Sequence, residues 1–453
     1  MSRLLLTFYG DDFTGSTDAL EQLTLVGIRT ALFIEPPTLS QLKKIPGLQA
    51  VGVAGMTRSL PTSAMAKELR PAFKKLKALG APHVHYKVCS TFDSSPHIGS
   101  IGRVLDVASG IFHAPFVPLL VAAPALGRHC VFGNLFARFG IGSQGEIHRL
   151  DRHPSVSRHP VTPMQEADLR RHLARQTSQR IALFDILKVA LPADAAREAL
   201  RQVLADRPDV VLFDAIHPEQ MTLIGELMDD YATAKQPLFS VGSSGVEMAL
   251  GAWWKSSGRV KNLTPAKRLE HSSLKKPGTS QLLVGSGSCS PVTSGQIERA
   301  LKNGFAEVSL KTSALATKKT AAAEIERAAA ATVKFLKAGR SVIIHTTRCG
   351  SDPRIAAKFK HDTARILGTA LGQVLRRALV QNDAARLCIA GGDTSSFAAR
   401  ALGIQALTMI APLTPGAPLC RAFAPGSPVN GREVVFKGGQ VGSEDWFEKA
   451  KDA

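Results

Sequence analysis

Residues 4–26 read LLLTFYGDDFTGSTDALEQLTLV, and the order of chemistry along that stretch decides the fold class. Residues 4–9 are a short apolar run of strand length, and GDDFTGST is a polar turn rich in helix-starting residues. Ala19, Leu20, Leu23 and Val26 then recur at helical spacing. A strand that passes through a polar turn directly into a helix opens a β-loop-α unit. The same alternation continues down the chain. Strands are expected at residues 30–34, 50–54, 84–88, 117–122, 181–185, 210–214 and 238–241, and helices at 62–79, 164–176, 194–205 and 219–232. Alternation of this kind predicts a mostly parallel sheet with helices on both faces.

Residues 257–280, SGRVKNLTPAKRLEHSSLKKPGTS, lack apolar periodicity and are rich in Lys, Ser, Pro and Gly, so they read as a connector. Beyond them the alternation restarts. Strands are expected at 281–285, 306–310, 341–345, 387–390 and 405–409, with helices at 291–302, 318–338, 361–379 and 395–402. A tail from Val434 adds a strand, a glycine turn and a short helix. The chain's 453 residues exceed what one core usually organises. The expected architecture is therefore two doubly wound α/β domains with mostly parallel sheets, residues 1–256 and 281–453, and an active site in the cleft between them.

Apolar residues make up 44% and charged residues 21%, the profile of a globular chain rather than a disordered one. Formal charge is +19, from 56 Lys and Arg against 37 Asp and Glu, which suits either nucleic acid or an anionic small ligand. No run of five or more basic residues occurs, aromatics are only 6%, and the densest basic stretch, Lys255 to Lys276, falls largely in the connector. An anionic small substrate is thus expected, and no nucleic acid. The six cysteines, at 89, 130, 289, 349, 388 and 420, form no CxxC pair, so neither a zinc site nor a disulfide framework is expected. The amino-terminal apolar run is too short for a signal peptide, and no window approaches a membrane span. A cytoplasmic protein without membrane association is the expectation.

In open α/β sheets, ligands bind where strand carboxyl ends turn into helix N-termini, whose free N–H groups attract anions. The first such loop holds Asp11, Asp12, Thr14, Ser16 and Asp18, more acids and hydroxyls than helix capping requires. Carboxylates there could hold sugar hydroxyls or deprotonate one. The second, HYKVCSTFDSSP at 85–96, places Lys87 at a strand end beside Ser90, Thr91, Asp93, Ser94 and Ser95. Lys87 either snorkels or binds a carboxylate or phosphate. Arg128, after a strand and a glycine turn, is either an anion binder or a surface ion-pair partner. The turn VGSSGVEM at 241–248 brings Ser244 to a helix start. In the second half, GSGSCSPVT at 285–293 and AGGDTSS at 390–396 are strand-to-helix turns able to cradle phosphates. Neither is a Walker A loop, and the Gly285 turn lacks the GxGxxG spacing of a dinucleotide fingerprint. His345 reads as a structural or hydrogen-bonding residue; Arg348, Asp352 and Arg354 follow it, with phosphate or solvent as alternatives for the two arginines. The histidines around 148–172 read as a solvated loop.

Taken together and in this order, YGDDFTGSTDALE, the Lys87 segment, APALGR, the GSSG turn, GSCSPVTSGQI and AGGDTSS resemble the four-carbon acid sugar kinase family. The resemblance covers essentially the whole chain. It implies an N-terminal domain for the acid sugar, a C-terminal domain for ATP with Mg²⁺, and phosphorylation of a terminal hydroxyl of threonate, erythronate or 3-oxo-tetronate. Carried onto matching positions, Asp11, Asp12, Thr14, Asp18, Lys87, Ser90, Thr91, Arg128 and Ser244 become substrate contacts. Ser288, Gly391, Gly392, Asp393, Thr394, Gly439 and Gly442 become nucleotide contacts, with no metal-ligating side chain assigned. Many members carry a Lys-x-x-Ser-Thr-Leu-Arg-Gly type segment where this chain reads KVCSTFDSSPHIGS, with Asp93 and Ser94 replacing the basic position. That departure opens the choice of substrate to a branched relative such as an oxo-isoapionate. Asp12 is the expected base, with Lys87 and Arg128 on the substrate carboxylate. A homodimer is compatible with this reading. Two other classes remain open on the residues alone: a non-catalytic sensor of an anionic metabolite, and an NAD-dependent dehydrogenase.

Overall fold

The computed structural model describes residues 4–139, 145–159, 161–260, 281–348, 363–382 and 385–453. It divides into two compact units, one of Met1–Ala31 with Pro36–Pro265 and one of Leu32–Glu35 with Ala266–Ala453. Of the expected connector, residues 261–280 lie outside the described residues. No described helix is long and apolar enough to cross a membrane.

The first unit contains β1 (Leu6–Gly10), the start of β2 (Thr30–Phe33), β3 (Ala50–Ala54), β4 (His83–Lys87), β5 (Val117–Leu120), β6 (Arg128–Val131), β7 (Asn134–Arg138), β8 (Ile147–Arg149), β9 (Ile181–Phe184), β10 (Val210–Phe213) and β11 (Leu238–Gly242). Its main sheet runs β3-β1-β4-β11-β5-β10-β9, every pair parallel. β1, β3, β4 and β11 are buried at every position, as strands covered on both faces must be. The register sets Gly10 beside both Ala54 and Lys87, and Gly242 beside both Lys87 and Leu120. Five loops therefore leave the sheet level with one another. The chain departs β1 toward the β3 side and departs β4 toward the β5 side, so the ends of β1 and β4 border the crevice of a topological switch point.

Strands β6, β7 and β8 form a separate antiparallel sheet that sequence patterning did not anticipate. Its first turn is Phe132-Gly133, with φ of 48° and 81°. Two positive φ values make a hairpin turn normally written with Asn or Gly, and phenylalanine there conceals the signal. The helix expected at 164–176 is confined to Leu169–Ala174, because Asp168 caps it by accepting from the Arg170 N–H. The histidines of this region are also not a solvated loop. His153 and His172 are buried, and His172 Nε2 lies 2.9 Å from both Ser94 Oγ and Gln176 Nε2.

The second unit contains β12 (Gln281–Ser286), β13 (Ala306–Ser309), β14 (Val342–His345), β15 (Ala385–Ala390), β16 (Ala406–Thr414), β17 (Ala417–Phe423) and β18 (Glu433–Lys437). Strands β13-β14-β12-β15-β18 are parallel, and β17 and β16 continue the sheet antiparallel. Leu32 and Phe33, which group with this unit, pair antiparallel with Leu407 and Ala406. The expected strand at 405–409 is thus one arm of a longer hairpin, turned at Pro415-Gly416, a breaker pair that marks such turns. Ser286 is level with His345 and Ala390, and Ala390 with Lys437.

Candidate active site

In the first unit the loop after β1 folds around Asp12. This residue caps the helix Phe13–Leu25: Oδ1 accepts from the Gly15 N–H at 2.6 Å and Oδ2 from the Thr14 hydroxyl at 3.1 Å. The Arg58 guanidinium reaches the same Oδ2 at 2.7 Å. Asp12 is thereby held on both oxygens. Asp11 differs. It is 3% exposed, and its Oδ1 has no hydrogen-bond partner among the described residues. Burial pushes its carboxyl up to about 7, with Asp12 adding to the shift and Arg58 and Lys87 opposing it. A carboxyl poised near neutrality and unencumbered has the properties of a general base.

Lys87 ends β4 directly beside Gly10 and does not snorkel, being 1% exposed. Nζ donates to the Val88 carbonyl at 2.9 Å and lies 3.5 Å from Asp18 Oδ2. Burial alone would lower its pKa, but Asp18, Glu247 and Asp11 outweigh that and hold it above the ordinary lysine value. Lys87 is therefore a fixed cation at the centre of the loops. Arg128, the first residue of β6, is buried as well. Its Nη1 donates to the Leu126, Gly127 and Arg138 carbonyls and its Nε to Ser90 Oγ at 3.3 Å. These bonds anchor the guanidinium and commit most of its donors, so the surface ion pair is set aside.

Thr91 donates to Asp93 Oδ1 at 2.9 Å across Phe92, which is buried with φ of 58°. A bulky residue in the left-handed region is a genuine outlier, and its burial against the His172 ring keeps the loop in that shape. Ser244 precedes the helix Gly245–Ser256, and its buried hydroxyl has no hydrogen-bond partner among the described residues.

Three residues escaped the sequence reading: Arg58, His85 and Glu247. Glu247 is fully buried, and neither of its carboxyl oxygens makes a hydrogen bond among the described residues. Burial pushes it up to about 8. His85 Nε2 lies 3.6 Å from Glu247 Oε1 and is likewise unbonded, while Nδ1 meets Ser240 Oγ at 3.1 Å. Burial, with Lys87 adding to it, holds this imidazole neutral by lowering its pKa to about 3. His85 lies two residues before Lys87 on the same strand, hence on the same face of the sheet. A helix-period reading of VEMALGAWWK assigns Glu247 no special place, so its signal was a lone acid on an otherwise apolar helix.

In the second unit the glycine turns converge. Gly287 donates to the Ala390 carbonyl at 3.0 Å, and Gly391 to that of Lys437 at 2.9 Å. A Cβ on Gly287 would come within 2.4 Å of the Thr394 side chain, and one on Gly439 within 2.7 Å of Ser288 Oγ. Gly391 has φ of 134°, a conformation open essentially to glycine alone. Ser288, Gly391, Gly392, Thr394 and Gly439 are thus brought together at the starts of the helices Pro291–Lys302 and Asp393–Ala401. The side chain of Asp393 lies outside the described residues. The Gly442 carbonyl accepts from Gln296 at 3.1 Å, which ties the tail loop to the first of these helices. Ser286 Oγ and Thr346 Oγ1, at the same sheet edge, are buried without a hydrogen-bond partner among the described residues. His345 pairs with Glu307 at 2.8 Å, the hydrogen-bonding role expected of it, and Arg348 lies 3.5 Å from the same oxygen. Asp352 and Arg354 fall outside the described residues. Substituting Gly287→Ala should weaken nucleotide binding at least about ten-fold and lower the melting temperature, because Thr394 must move to admit the methyl group. Calorimetric titration with ATP and a thermal melt check both.

Two family descriptions match separate stretches of the chain. Residues 6–250 match a family described as a sugar-binding N-terminal domain, and residues 283–447 one described as a nucleotide-binding C-terminal domain. The chain is 42% identical over 461 residues to a 3-oxo-isoapionate kinase of Paraburkholderia graminis, covering 99% of this chain and 94% of that one. It is 27% identical over 452 residues to a 3-oxo-tetronate kinase of Pseudomonas savastanoi pv. phaseolicola, covering 99% and 97%. A solved structure from Salmonella typhimurium LT2 shares the fold, with a TM-score of 0.75, 24% identity and 98% of each chain covered.

Proposed function

The chain belongs to the four-carbon acid sugar kinase family, and we propose that it transfers the γ-phosphoryl group of ATP to a hydroxyl of a branched 3-oxo acid sugar of the isoapionate kind. Membership makes it a phosphotransferase acting on a small acid sugar. In our reading residues 1–256 hold the sugar and residues 281–453 the nucleotide, in the cytoplasm where ATP is abundant.

One observation carries the sugar assignment. Asp11 Oδ1, His85 Nε2, Ser244 Oγ and both Glu247 oxygens are buried without hydrogen-bond partners among the described residues, and Asp11, His85 and Glu247 lie near the fixed cation Lys87. Buried polar atoms are normally satisfied, and an anion bearing several hydroxyls offers both the carboxylate for Lys87 and the donors and acceptors for the rest. Lys87 and Arg128 hold that carboxylate in this reading, with Thr14, Asp18, Ser90 and Thr91 completing the contacts. We assign the base to Asp11 rather than Asp12. Asp12 is committed to the helix cap and Arg58, whereas Asp11 is unbonded and titrates near 7. In the transfer, the sugar hydroxyl gives its proton to Asp11 as its oxygen bonds to the γ-phosphorus, and the bond to the β-phosphate oxygen breaks to release ADP.

The glycine turns suit a triphosphate. They expose backbone N–H groups at two helix starts, and the orphaned Ser286 hydroxyl lies on the same edge. Mg²⁺ is usually held through substrate phosphates and water with few protein ligands. The hydroxyls of Ser288 and Thr394 are the oxygen donors these turns would offer a Mg²⁺ entering with ATP, and the ion would supply neutralisation of charge on the transferred group.

The substrate assignment rests on the 42% relative and on Asp93 and Ser94 standing where many members carry a basic residue. It is tested by a coupled ADP-release assay over 3-oxo-isoapionate, 3-oxo-tetronates, threonate and erythronate. The expected kcat/KM is highest for the branched acid by at least about ten-fold, the discrimination a few added contacts provide. Preference for an unbranched tetronate would reject the branched assignment, and no ADP release with any acid sugar would reject the kinase reading itself.

A further inference from the structure

Lys437 closes β18 at the sheet edge where the three glycine turns meet, and it has no exposed surface. Its Nζ donates to Thr293 Oγ1 at 3.1 Å and to the Gly438 carbonyl at 3.0 Å, and lies 5.7 Å from the centre of the Trp446 ring. Among the described residues no carboxylate forms an ion pair with it. Burial pulls the ammonium down to about 8, opposed by the Cys388 thiol alone. A buried cation with a hydroxyl, a carbonyl and a ring face for company, but no counter-ion, is costly. An apolar side chain of equal length would fill the same space at lower cost.

Its surroundings indicate where the missing negative charge belongs. Thr293 is in the first turn of the helix Pro291–Lys302, and its hydroxyl donates to the Gly439 carbonyl at 2.7 Å. Gly439 abuts Ser288, and Ala390, which lies beside Lys437 in register, leads into Gly391 and Gly392. The ammonium is therefore bonded to the helix start after the first glycine turn and to the tail turn, while the Lys437 backbone carbonyl accepts from the Gly391 N–H of the third. Lys87 of the first unit provides the contrast: it is equally buried but has Asp18, Glu247 and Asp11 as neighbours.

We propose that Lys437 is the buried counter-charge of the nucleotide's phosphates, a positioning residue that acts through the Gly438–Gly439 turn. The inference rests on the reading of the second unit as the nucleotide site. It predicts that the contribution of Lys437 grows with the number of phosphates and disappears for the nucleoside.

Titration of the full chain with adenosine, AMP, ADP and ATP in the presence of Mg²⁺ tests it, comparing wild type with Lys437→Met, Lys437→Gln and Lys437→Arg. Lys437→Met and Lys437→Gln should weaken ATP by roughly ten-fold or more and ADP by less, leave adenosine unchanged, and not lower the melting temperature of the ligand-free protein. Lys437→Arg should bind ATP within a few-fold of wild type. Gln retains a hydrogen-bond donor without the charge, so it separates charge from fastening. An equal loss for adenosine and ATP, or full ATP affinity in Lys437→Gln, would overturn the inference while leaving the nucleotide site intact. Failure of the wild-type chain to bind ATP at all would instead remove the reading beneath it.

Discussion

Replacing Asp11 by Asn is expected to lower kcat by about three orders of magnitude, at the upper part of the range for a positioned base, while KM for the acid sugar changes by only a few-fold. Asn is isosteric and can still hydrogen-bond a hydroxyl, so binding survives and proton abstraction does not. The wild-type rate should rise with pH through a limb centred near 7, since only the ionised Asp11 carboxylate accepts the proton. That limb should be missing from the residual activity of Asp11→Asn. Stability should move the opposite way. An acid whose folded-state pKa lies above its unfolded value costs the folded state nothing at low pH and progressively more as pH rises through the interval between the two, here from 3.8 to about 7. Without ligand, at pH 8, Asp11→Asn should therefore melt higher than wild type, while at pH 4 the two should nearly coincide. A variant that is inactive yet more stable is the signature of a strained functional carboxyl. Near-normal turnover would return the base role to another group, and a combined loss of activity and stability would make Asp11 structural. Asp12→Asn serves as the control. It removes one side of the Arg58 pair and weakens the cap, so it should lose stability together with activity.

The second large effect is expected from Lys87→Met. Truncating one partner of a buried charge pair costs about 2–5 kcal/mol, so the affinity for the acid sugar should fall by at least about 30-fold with ATP affinity unchanged. The same substitution leaves Asp18, Glu247 and Asp11 facing one another without the cation that now holds them. Asp11 and Glu247 are then easier to protonate, so the variant is penalised where these two would ionise. Its melting temperature should lie close to that of wild type near pH 5 and fall progressively below it as pH rises past neutrality. The pH dependence distinguishes lost charge from a simple packing defect, which would shift the melting temperature equally at every pH. Direct titration of the ligand and a melt series from pH 5 to 9 give both readings, and unaltered sugar affinity would remove Lys87 from the substrate site.

Much of this arrangement is legible in the amino-acid order. Strand, polar turn and helix alternate on both sides of the connector, and parallel strands buried on both faces leave continuous apolar runs that a reader can count. Loop chemistry was equally open to reading: GDDFTGST, KVCST, GSCS and GGDT combine acids, hydroxyls, a lysine and glycines where ligands bind in such sheets. The features that escaped did so for identifiable reasons. The hairpin of β6 and β7 turns on Phe132 at positive φ, and the buried histidines of residues 153 and 172 look polar until a partner such as Ser94 is found for them.

What the order of residues determined alone is the set of loops and the chemistry each carries, because hydrophobic period and turn composition are local properties. What only the tertiary structure decided is which group in each loop is held by its neighbours. Asp11 and Asp12 are identical neighbours in the chain, yet one is tied to Gly15, Thr14 and Arg58 and the other is left buried and unbonded. Glu247 and Lys437 likewise acquire their character from strands and helices far away in sequence, since desolvation and the presence or absence of a counter-charge are set by neighbours that no local pattern records.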